Sequence, residues 1–275
     1  MKNNNHIKIY HEAPKSIVKA VQKITDGDYA LVHLFEEDPE YYKLFEDAIK
    51  DGREVILDNS IFELEEAFNA EDFAYWVKKL KPTWYIVPDV LEDGQKTKNQ
   101  MVDWNKTYTD LPGKKIGVVQ GKTYEEIVAC YVYMDKIAKV DMIAISFDYS
   151  YYTQSFPHPN KYVSWMLGRV KLLGDLVKDG IINENTPHHL LGSSLPAEGK
   201  FYSQYDWIYS MDTSNPVVHG IKGIRYEPNF GLYTKESQKL FTLINSNVSI
   251  SQLKDIQFNV SEFNKYWNNP NFEQK

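Results

Sequence analysis

Short apolar runs alternate with longer segments of helical spacing along the chain. The apolar runs predict eight strands, which cover residues 6–10, 29–35, 54–57, 84–87, 116–119, 141–145, 188–191 and 206–211. The longest helical patterns between them cover residues 64–80, 94–108 and 162–178. Strands that alternate with helices favour parallel βαβ units over a sandwich. Eight such units predict an α/β protein with a single (β/α)8 barrel of the TIM type.

An open, doubly wound sheet is the alternative to the barrel. Its nucleotide-binding version has little support, because no GxGxxG pattern follows the first strand. No short-period repeat or low-complexity linker divides the chain. We therefore expect one domain over residues 1–275, with a C-terminal helical region over about 231–268.

Polar or turn-forming residues stand at the end of one predicted strand after another. These strand ends are Asp58, Asp89, Gln120, Asp148, Gly192-Ser193-Ser194 and Asp212. The carboxyl ends of barrel strands build the active site, so we expect these side chains to meet at one mouth. A single acid at such a place is as readily a helix N-cap, and Asp58 and Asp89 both precede helices. The polar strand ends taken together indicate a site. Asp212 directly follows an aromatic, apolar run, which is expected to be a buried strand that fixes its position.

The charge balance limits the kinds of partner. A net charge of −7 argues against a protein that coats nucleic acid through a global positive field. Local basic surfaces remain open, although each is also typical of a solvated helix end or loop. The candidates are Lys78, Lys79 and Lys81; Lys96 and Lys98; Lys114, Lys115 and Lys122; and Lys222 with Arg225.

Cysteine and hydropathy patterns bear on redox chemistry and location. The one cysteine, Cys130, excludes an internal disulfide and a cysteine-cluster zinc site. No apolar run approaches the roughly 20 residues that span a bilayer. The first residues lack the apolar segment of a signal peptide. These patterns predict a cytoplasmic protein without a membrane partner, in the host cytoplasm if a phage encodes it.

The strand ends resemble those of the tRNA-guanine transglycosylases, in order and spacing, from about residue 29 to residue 220. Residues 57–63, Leu-Asp-Asn-Ser-Ile-Phe-Glu, resemble that family's Asp-Ser-Gly-Gly-aromatic-Gln motif, and residues 87–89, Val-Pro-Asp, its next strand-end acid. Residues 117–121, Gly-Val-Val-Gln-Gly, are close to its Gly-Ile-Val-Gln-Gly segment. Residues 188–192, His-His-Leu-Leu-Gly, are similar to its His-Tyr-Leu-Met-Gly strand, and residues 210–216 occupy the place of its nucleophile segment.

The chain also departs from that family. The tRNA enzymes carry a zinc subdomain of three cysteines and a histidine after the nucleophile strand, and here no cysteine follows Cys130. Ser60 and Ile61 replace the motif's two glycines, and Glu63 replaces its glutamine. This combination is similar to the DNA-modifying branch of phages and bacterial modification islands, which inserts 7-deazaguanines into DNA. The resemblance implies a barrel without the zinc subdomain, and no metal or other cofactor.

The resemblance also implies an activity, that of a pentosyltransferase. Asp212 would be the nucleophile that attacks the sugar C1′, and Asp58 the general acid/base that handles the ring-nitrogen proton. A shared pocket would push the pKa values of the two carboxyl groups apart. The implied partners are a flipped guanine nucleotide of DNA and a 7-deazaguanine base such as 7-cyano-7-deazaguanine (preQ0). A homodimer is a further expectation.

The remaining strand-end residues are expected to bind the base. Asp89 would accept from the guanine N1–H and amine edge, and Gln120 would read the carbonyl side. Phe62 and Leu191 would sandwich the ring, although core packing competes closely with this role for Phe62 and is the more ordinary role for Leu191. The substrate-binding set is completed by Gly121, Gly192 and Asp148, with Asp148 beside the substituent at ring position seven.

A base inside a duplex cannot reach such a pocket, so the target nucleotide must be flipped out. The stretch 149–160 reads as a long loop, and its aromatic residues are candidates to stack on the gap. They are Tyr149, Tyr151, Tyr152 and Phe156.

Three other functions compete with DNA base exchange. The first is the same barrel acting on tRNA, and the second is a non-catalytic subunit that only binds nucleic acid. Loss of catalysis should cost the two acids, which are both present. The third is a metal-dependent hydrolase, whose candidate ligands are His6, His11, His188 and His189. Little supports it, because His188 and His189 point to opposite faces of a strand.

Overall fold

Eight parallel strands form one sheet in the computed structural model, which describes residues 6–226, 234–236 and 238–269. The strands are β1 Lys8–His11, β2 Asp28–Leu31, β3 Val55–Asp58, β4 Trp84–Ile86, β5 Lys114–Val119, β6 Met142–Ser146, β7 His188–Leu191 and β8 Ile208–Thr213. Their order is β1-β8-β7-β6-β5-β4-β3-β2, which is a nearly closed barrel with alternating helices. The prediction of a (β/α)8 barrel is therefore confirmed.

Hydrogen bonds join β1 to residues 25 and 26, which come just before β2 in the chain. β1 and β2 are the two strands at the ends of that order. The Ile9 N–H donates to Asp26 Oδ2 at 2.8 Å, and the Asp26 N–H donates to the Ile9 carbonyl at 3.1 Å. The His11 N–H donates to Thr25 Oγ1 at 2.9 Å. These bonds satisfy backbone groups that a regular ladder would otherwise satisfy.

The amino end of the barrel is closed by a polar cluster around Glu54, next to β3. Glu54 accepts hydrogen bonds from Trp84 Nε1 at 2.5 Å and from Tyr209 OH at 2.9 Å. Lys8 Nζ completes the cluster 2.5 Å from Glu54 Oε2. The large cavity lies at the opposite, carboxyl end of the strands.

Helices surround the barrel and connect its strands. They are α1 Val18–Val21, α2 His33–Glu37, α3 Pro39–Lys50, α4 Ile61–Leu64, α5 Ala70–Leu80, α6 Gly94–Thr107, α7 Tyr124–Val132, α8 Ser150–Ser155, α9 Lys161–Lys178, α10 Asn215–Ile221 and α11 Ile250–Asn268. Short 3-10 turns cover Lys15–Ile17, Pro196–Phe201 and Leu240–Leu243, and a π-helical turn covers Tyr133–Ala138. In the described part of the chain, no helix has both the length and the apolar character to cross a membrane.

Two predicted elements were wrong in their extent. The strand predicted at 29–35 ends at Leu31, and α2 follows it, because a buried apolar run fits a helix as well as a strand. The helix predicted at 64–80 begins only at Ala70, as α5, because α4 ends at Leu64 and residues 65–69 are not helical. Asn69 Oδ1 accepts from the N–H groups of Glu71 and Asp72 at 2.9 and 3.2 Å, and this cap starts α5.

The stretch 149–160, which was predicted as a loop, contains α8, and α10 follows β8. The C-terminal helical region predicted at about 231–268 contains the turn Leu240–Leu243 and α11, and its residues 231–233 and 237 lie outside the described residues. A capping box of Ser249 and Gln252 starts α11.

Gly168 lets α9 pack directly against α8. A Cβ atom on Gly168 would lie 2.3 Å from Tyr152 Cβ, whereas one on Gly174, in the same helix, would meet nothing within 4 Å. We expect Gly168→Ala to lower the free energy of unfolding by about 1–3 kcal/mol through overpacking. Gly174→Ala should raise it by about 0.5–1 kcal/mol, the usual gain in helix propensity. Urea unfolding of both variants tests this, and the same sign for both would contradict the close contact.

Candidate active site

The carboxyl ends of the strands surround a cavity of about 270 Å³, close to the size of ordinary small-molecule sites. Eight of the nine predicted site residues line it: Asp58, Phe62, Asp89, Gln120, Asp148, Leu191, Gly192 and Asp212. Gly121 does not. A Cβ atom there would lie 2.8 Å from the Ile127 nitrogen and 2.9 Å from Glu126 Cβ, so this glycine allows the start of α7 to approach β5.

Asp212 lies within β8 and is held by two hydrogen-bond partners on one oxygen. The Gly192 N–H donates to Oδ1 at 3.0 Å, and His189 Nε2 lies 3.0 Å from the same atom. The side chain opens only into the cavity, with 6% of the residue exposed. Oδ2 accepts no hydrogen bond from the described residues. Asp212 therefore has Oδ1 held in place and offers its free oxygen, Oδ2, to a ligand.

His189 is a partner of Asp212 that the sequence did not reveal. With Asp212 as a carboxylate, Nε2 carries the ring proton and Nδ1 accepts from Ser210 Oγ, 2.8 Å away. His188 points the other way, and its Nε2 lies 2.8 Å from the hydroxyl of Tyr131 on α7. The predicted opposite orientation of the two histidines is confirmed, and it is this alternation that puts His189 inside the barrel.

Gly192 has a backbone conformation that suits glycine. Its φ of 61° lies in the left-handed region, and a Cβ atom would lie 2.5 Å from Phe147 Cδ1. The turn presents the Gly192 N–H to Asp212. A larger residue here would both strain the turn and displace a ring of the cavity wall.

Arg169 holds this turn from behind. Its guanidinium donates to the carbonyl oxygens of Leu191 at 3.0 Å and Gly192 at 2.9 Å, and to Glu198 Oε1 at 2.6 Å. Both charged side chains are fully buried. The end of β7 is therefore fixed by a buried ion pair as well as by the sheet.

Asp58 and Glu63 form a second acidic group in the cavity. Burial raises the pKa of Asp58 well above its ordinary value, and the negative charge of Glu63 raises it further. Asp58 Oδ2 accepts from the Ser60 N–H at 2.9 Å, which opposes the shift. Burial also raises the pKa of Glu63 to about 7. Asp58 is thus suited to carry a proton at neutral pH.

Glu12, which follows β1, is a cavity acid that the sequence analysis missed. Burial raises the pKa of its carboxyl well above the ordinary value, and the charge of Asp212 adds to the shift. Glu12 lines the same cavity as the predicted site residues, which follow later strands. A polar strand end after β1 was visible in the sequence, but nothing distinguished it from an N-terminal cap.

Asp89 is fixed by two side-chain amides. Its Oδ1 accepts from Asn59 Nδ2 and its Oδ2 from Gln120 Nε2, both at 2.7 Å. The Gln120 Oε1 accepts from the Glu92 N–H at 2.8 Å, which fixes the orientation of that amide. Asp93, not Asp89, caps α6, so the capping alternative for Asp89 was wrong. One Nε2 hydrogen of Gln120 remains for a ligand.

The buried Asp89 makes stability depend on pH. Burial raises its pKa to about 6, against the effect of the two amides. The folded protein then keeps a proton that the unfolded chain loses, so stability falls as pH rises from about 4 through 6. Two pKa units correspond to about 3 kcal/mol. Urea unfolding between pH 4 and 8 measures how far the free energy of unfolding falls. In Asp89→Asn this fall should be smaller than in the wild type by about 3 kcal/mol. A fall as large as that of the wild type would contradict the burial effect. The exposed-site control Asp93→Asn should keep the wild-type fall.

Asp148 and Lys235 line the same cavity. Asp148 Oδ1 accepts from Ser146 Oγ at 2.8 Å, and burial raises the pKa of this carboxyl. Lys235 Nζ donates to the Ser193 carbonyl at 2.6 Å, and burial lowers the pKa of this lysine to about 8. Lys235 was not predicted as a site residue, because a lysine in a polar stretch is typical of a solvated segment.

Phe62 and Leu191 both line the cavity. Phe62 is 39% exposed, so it does not serve the core. Leu191 is half-buried and also packs against the core, which leaves part of its side chain open to the cavity.

The aromatic residues of the stretch 149–160 are placed differently from the prediction. Tyr149 and Tyr152 are 2% and 0% exposed, and their hydroxyls donate to the carbonyls of Val119 and Ser146. They are core residues, so the prediction that they stack on a nucleotide gap was wrong. Tyr151 is half-buried against the ring of Tyr124, and Phe156 is also half-buried.

The four histidines proposed as metal ligands do not converge. His6 lies beside Asp26, and His11 beside Asn264, each at 2.9 Å. Within residues 6–226, 234–236 and 238–269, no group of three or more His, Cys, Asp or Glu side chains is arranged to hold a metal ion.

Comparison with known proteins adds no assignment. No model of a known protein family matches the chain, and no curated protein matches it either.

Proposed function

We propose that this barrel is a DNA-guanine transglycosylase. It exchanges guanine in DNA for a 7-deazaguanine base, such as 7-cyano-7-deazaguanine, through a covalent bond between Asp212 and the sugar. The observation that carries the proposal is the contrast between two acids of one cavity. Asp212 has one oxygen fixed and one free, while Asp58 has its pKa raised well above the ordinary value.

In the first step, the free oxygen of Asp212 attacks the sugar C1′ as the bond from C1′ to guanine N9 breaks. The electron pair of that bond goes to the guanine, and protonated Asp58 gives its proton to the ring nitrogen. The products are neutral guanine, a glycosyl ester on Asp212 and an Asp58 carboxylate. The hydrogen bonds to Oδ1 keep the attacking carboxylate in one orientation.

In the second step, the incoming base enters from the side that guanine left. Asp58, now ionised, takes the N9 proton of the 7-deazaguanine, whose N9 attacks C1′. The ester bond to Asp212 breaks, and its electron pair returns to the carboxylate. The enzyme ends as it began, with a proton on Asp58.

The rest of the cavity fits a guanine-like ring. Asp89 can accept from N1–H and the exocyclic amine, since each carboxylate oxygen has a second lone pair beyond the amide bonds described. The free Gln120 hydrogen can donate to the ring carbonyl. Phe62 and Leu191 offer apolar surfaces for the two faces of the ring. A cavity of about 270 Å³ excludes a paired base, which requires that the nucleotide be flipped out.

Two features support the resemblance on which the substrate depends. Ser60, in the place of the motif's first glycine, has a φ of 61°, a conformation that glycine adopts easily. No cysteine follows Cys130, so the chain cannot form the cysteine-based zinc site of the tRNA enzymes. The second feature favours DNA over tRNA. The presence of both Asp212 and Asp58 favours an enzyme over a subunit that only binds.

Incorporation of a labelled base tests the proposal. The protein is incubated with labelled 7-cyano-7-deazaguanine and either guanine-containing DNA or tRNA, with and without cell extract as a source of accessory proteins. We expect label in DNA and none in tRNA. Label in tRNA alone would establish the tRNA alternative, and label in neither would overturn base exchange.

A further inference from the structure

Four aromatic rings follow one another along one wall of the cavity. Neighbouring ring centroids lie 5.7 Å apart for Phe62 and Phe147, 5.6 Å for Phe147 and Trp165, and 5.8 Å for Trp165 and Tyr162. All four line the cavity. Tyr162 and Trp165 are half-buried and lie in the first turns of α9, so their rings extend the wall beyond Phe62.

A lysine lies over each part of this aromatic wall. Lys239 Nζ is 4.6 Å from the ring centroid of Phe62, and Lys235 Nζ is 4.2 Å from that of Phe147. Lys161 Nζ is 5.2 Å from the centroids of both Tyr162 and Trp165. Three lysines therefore lie along this wall, although the whole chain has a net charge of −7.

Lys161 is the most available of these cations. It is exposed, and among the described residues it makes neither an ion pair nor a hydrogen bond through Nζ. Lys239 and Lys235, in contrast, donate to the carbonyls of Phe62 and Ser193. Lys161 can move from the rings to an anion without breaking another bond.

Aromatic faces next to lysines are typical of single-stranded nucleic-acid grooves, where bases stack on rings and phosphates meet the cations. The alternative is a solvated cation over rings, as Lys79 shows on α5, where it lies 5.4 Å from the Tyr75 centroid and 4.3 Å from that of Trp76. That cluster does not border the cavity. Lys161, Tyr162 and Trp165 on α9 do border the cavity, and this distinguishes them from the cluster on α5.

We propose that Lys161, Tyr162 and Trp165 form a subsite for the nucleotide next to the exchanged one. Its base stacks on the Trp165 ring, the Tyr162 ring, which is tilted 68° from that of Trp165, contacts the edge of the base, and the phosphate binds Lys161. The inference rests on the proposed function, because it takes DNA as the strand that enters the cavity. Two adjacent nucleotides must then leave the helical stack, so single-stranded or locally unpaired DNA is a better substrate than a duplex.

DNA binding by matched variants tests the subsite. Fluorescence anisotropy measures the affinity of the protein for a guanine-containing single strand, its duplex and an RNA of the same sequence. We expect Trp165→Ala to weaken single-strand binding by about 5- to 100-fold, the usual loss for one stacked base. Tyr162→Ala, which removes an edge contact, should weaken it by about 2- to 10-fold. Lys161→Ala should reduce the salt dependence of binding. Tyr75→Ala and Lys79→Ala remove the same kinds of group from α5 and should leave binding unchanged.

A conservative variant and exchange kinetics distinguish stacking from an effect on catalysis. Trp165→Phe keeps a ring and should retain most of the binding that Trp165→Ala loses. In exchange assays, Trp165→Ala should raise KM for DNA, with kcat at saturating DNA and KM for the free base near the wild type. A loss of binding that is equal in Trp165→Phe and Trp165→Ala would overturn stacking.

Failure of the subsite and failure of the proposed function give different results. Exchange in the wild type with unchanged DNA binding in the α9 variants would overturn the subsite alone. DNA binding that is lost in these variants, without exchange in any protein, would leave the subsite and remove the proposed activity. Tighter binding to the duplex than to the single strand would overturn the unpaired-DNA preference, and tighter binding to RNA would overturn DNA as the occupant.

Discussion

Replacing Asp212 with alanine should lower the rate of base exchange by about 10⁴-fold or more, the loss typical of a removed catalytic nucleophile. Among the described acids of the cavity, Asp212 is the one with two hydrogen-bond partners on one oxygen and none on the other. The Gly192 N–H and His189 both contact Oδ1 of Asp212, which leaves Oδ2 to attack. Without this carboxylate, the sugar cannot form the covalent intermediate, and the bond to guanine persists.

Single-turnover exchange into DNA, with quenched samples analysed for a protein–DNA adduct, checks this prediction. Asp212→Ala should lose the exchange and the adduct together. Asp93→Asn, which removes a carboxylate outside the cavity, should keep both. Exchange or adduct that persists in Asp212→Ala would mean that another residue is the nucleophile.

Arg169→Met should lower the free energy of unfolding by about 3–5 kcal/mol, because it leaves Glu198 charged and buried without its partner. Both side chains are fully buried, and their atoms lie 2.6 Å apart. The variant also removes the donors to the carbonyls of Leu191 and Gly192. The turn that presents the Gly192 N–H to Asp212 should loosen, so we expect lower exchange activity even below the unfolding temperature.

Urea unfolding compares this variant with two others. The double variant Arg169→Met, Glu198→Gln removes the unpaired charge and should recover part of the loss. Lys171→Met breaks an exposed ion pair with Asp175 on the same helix, and should change stability by less than about 1 kcal/mol. A loss in Arg169→Met as small as that in Lys171→Met would contradict the role of the buried pair.

The barrel was predictable because its strands are buried on both faces, so each is a short apolar run that ends at the mouth. Asp58, Asp89, Gln120 and Asp212 line one cavity for the same reason: parallel strands bring their carboxyl ends to one side. Helix boundaries were less predictable. A cap such as Asn69 overrides an apolar pattern that continues across it.

The sequence could not reveal contacts between distant segments. Tyr149 and Tyr152 looked like exposed loop aromatics, but α8 turns them into the core. Trp165 read as an ordinary position of a helix, yet it lies in the cavity wall. Lys235 enters the cavity from a segment after β8. Periodicity reports which face of one element is buried, and only packing decides which elements share a site.

Mapping the proposed covalent bond between Asp212 and the sugar is the most direct test of the proposed mechanism. Wild-type protein is mixed with guanine-containing DNA without an incoming base, quenched in acid and digested with protease and nuclease. Mass spectrometry of the peptides should find a deoxyribose residue on Asp212. A sugar on Asp58 or another residue, or exchange that proceeds without any modified peptide, would contradict the mechanism.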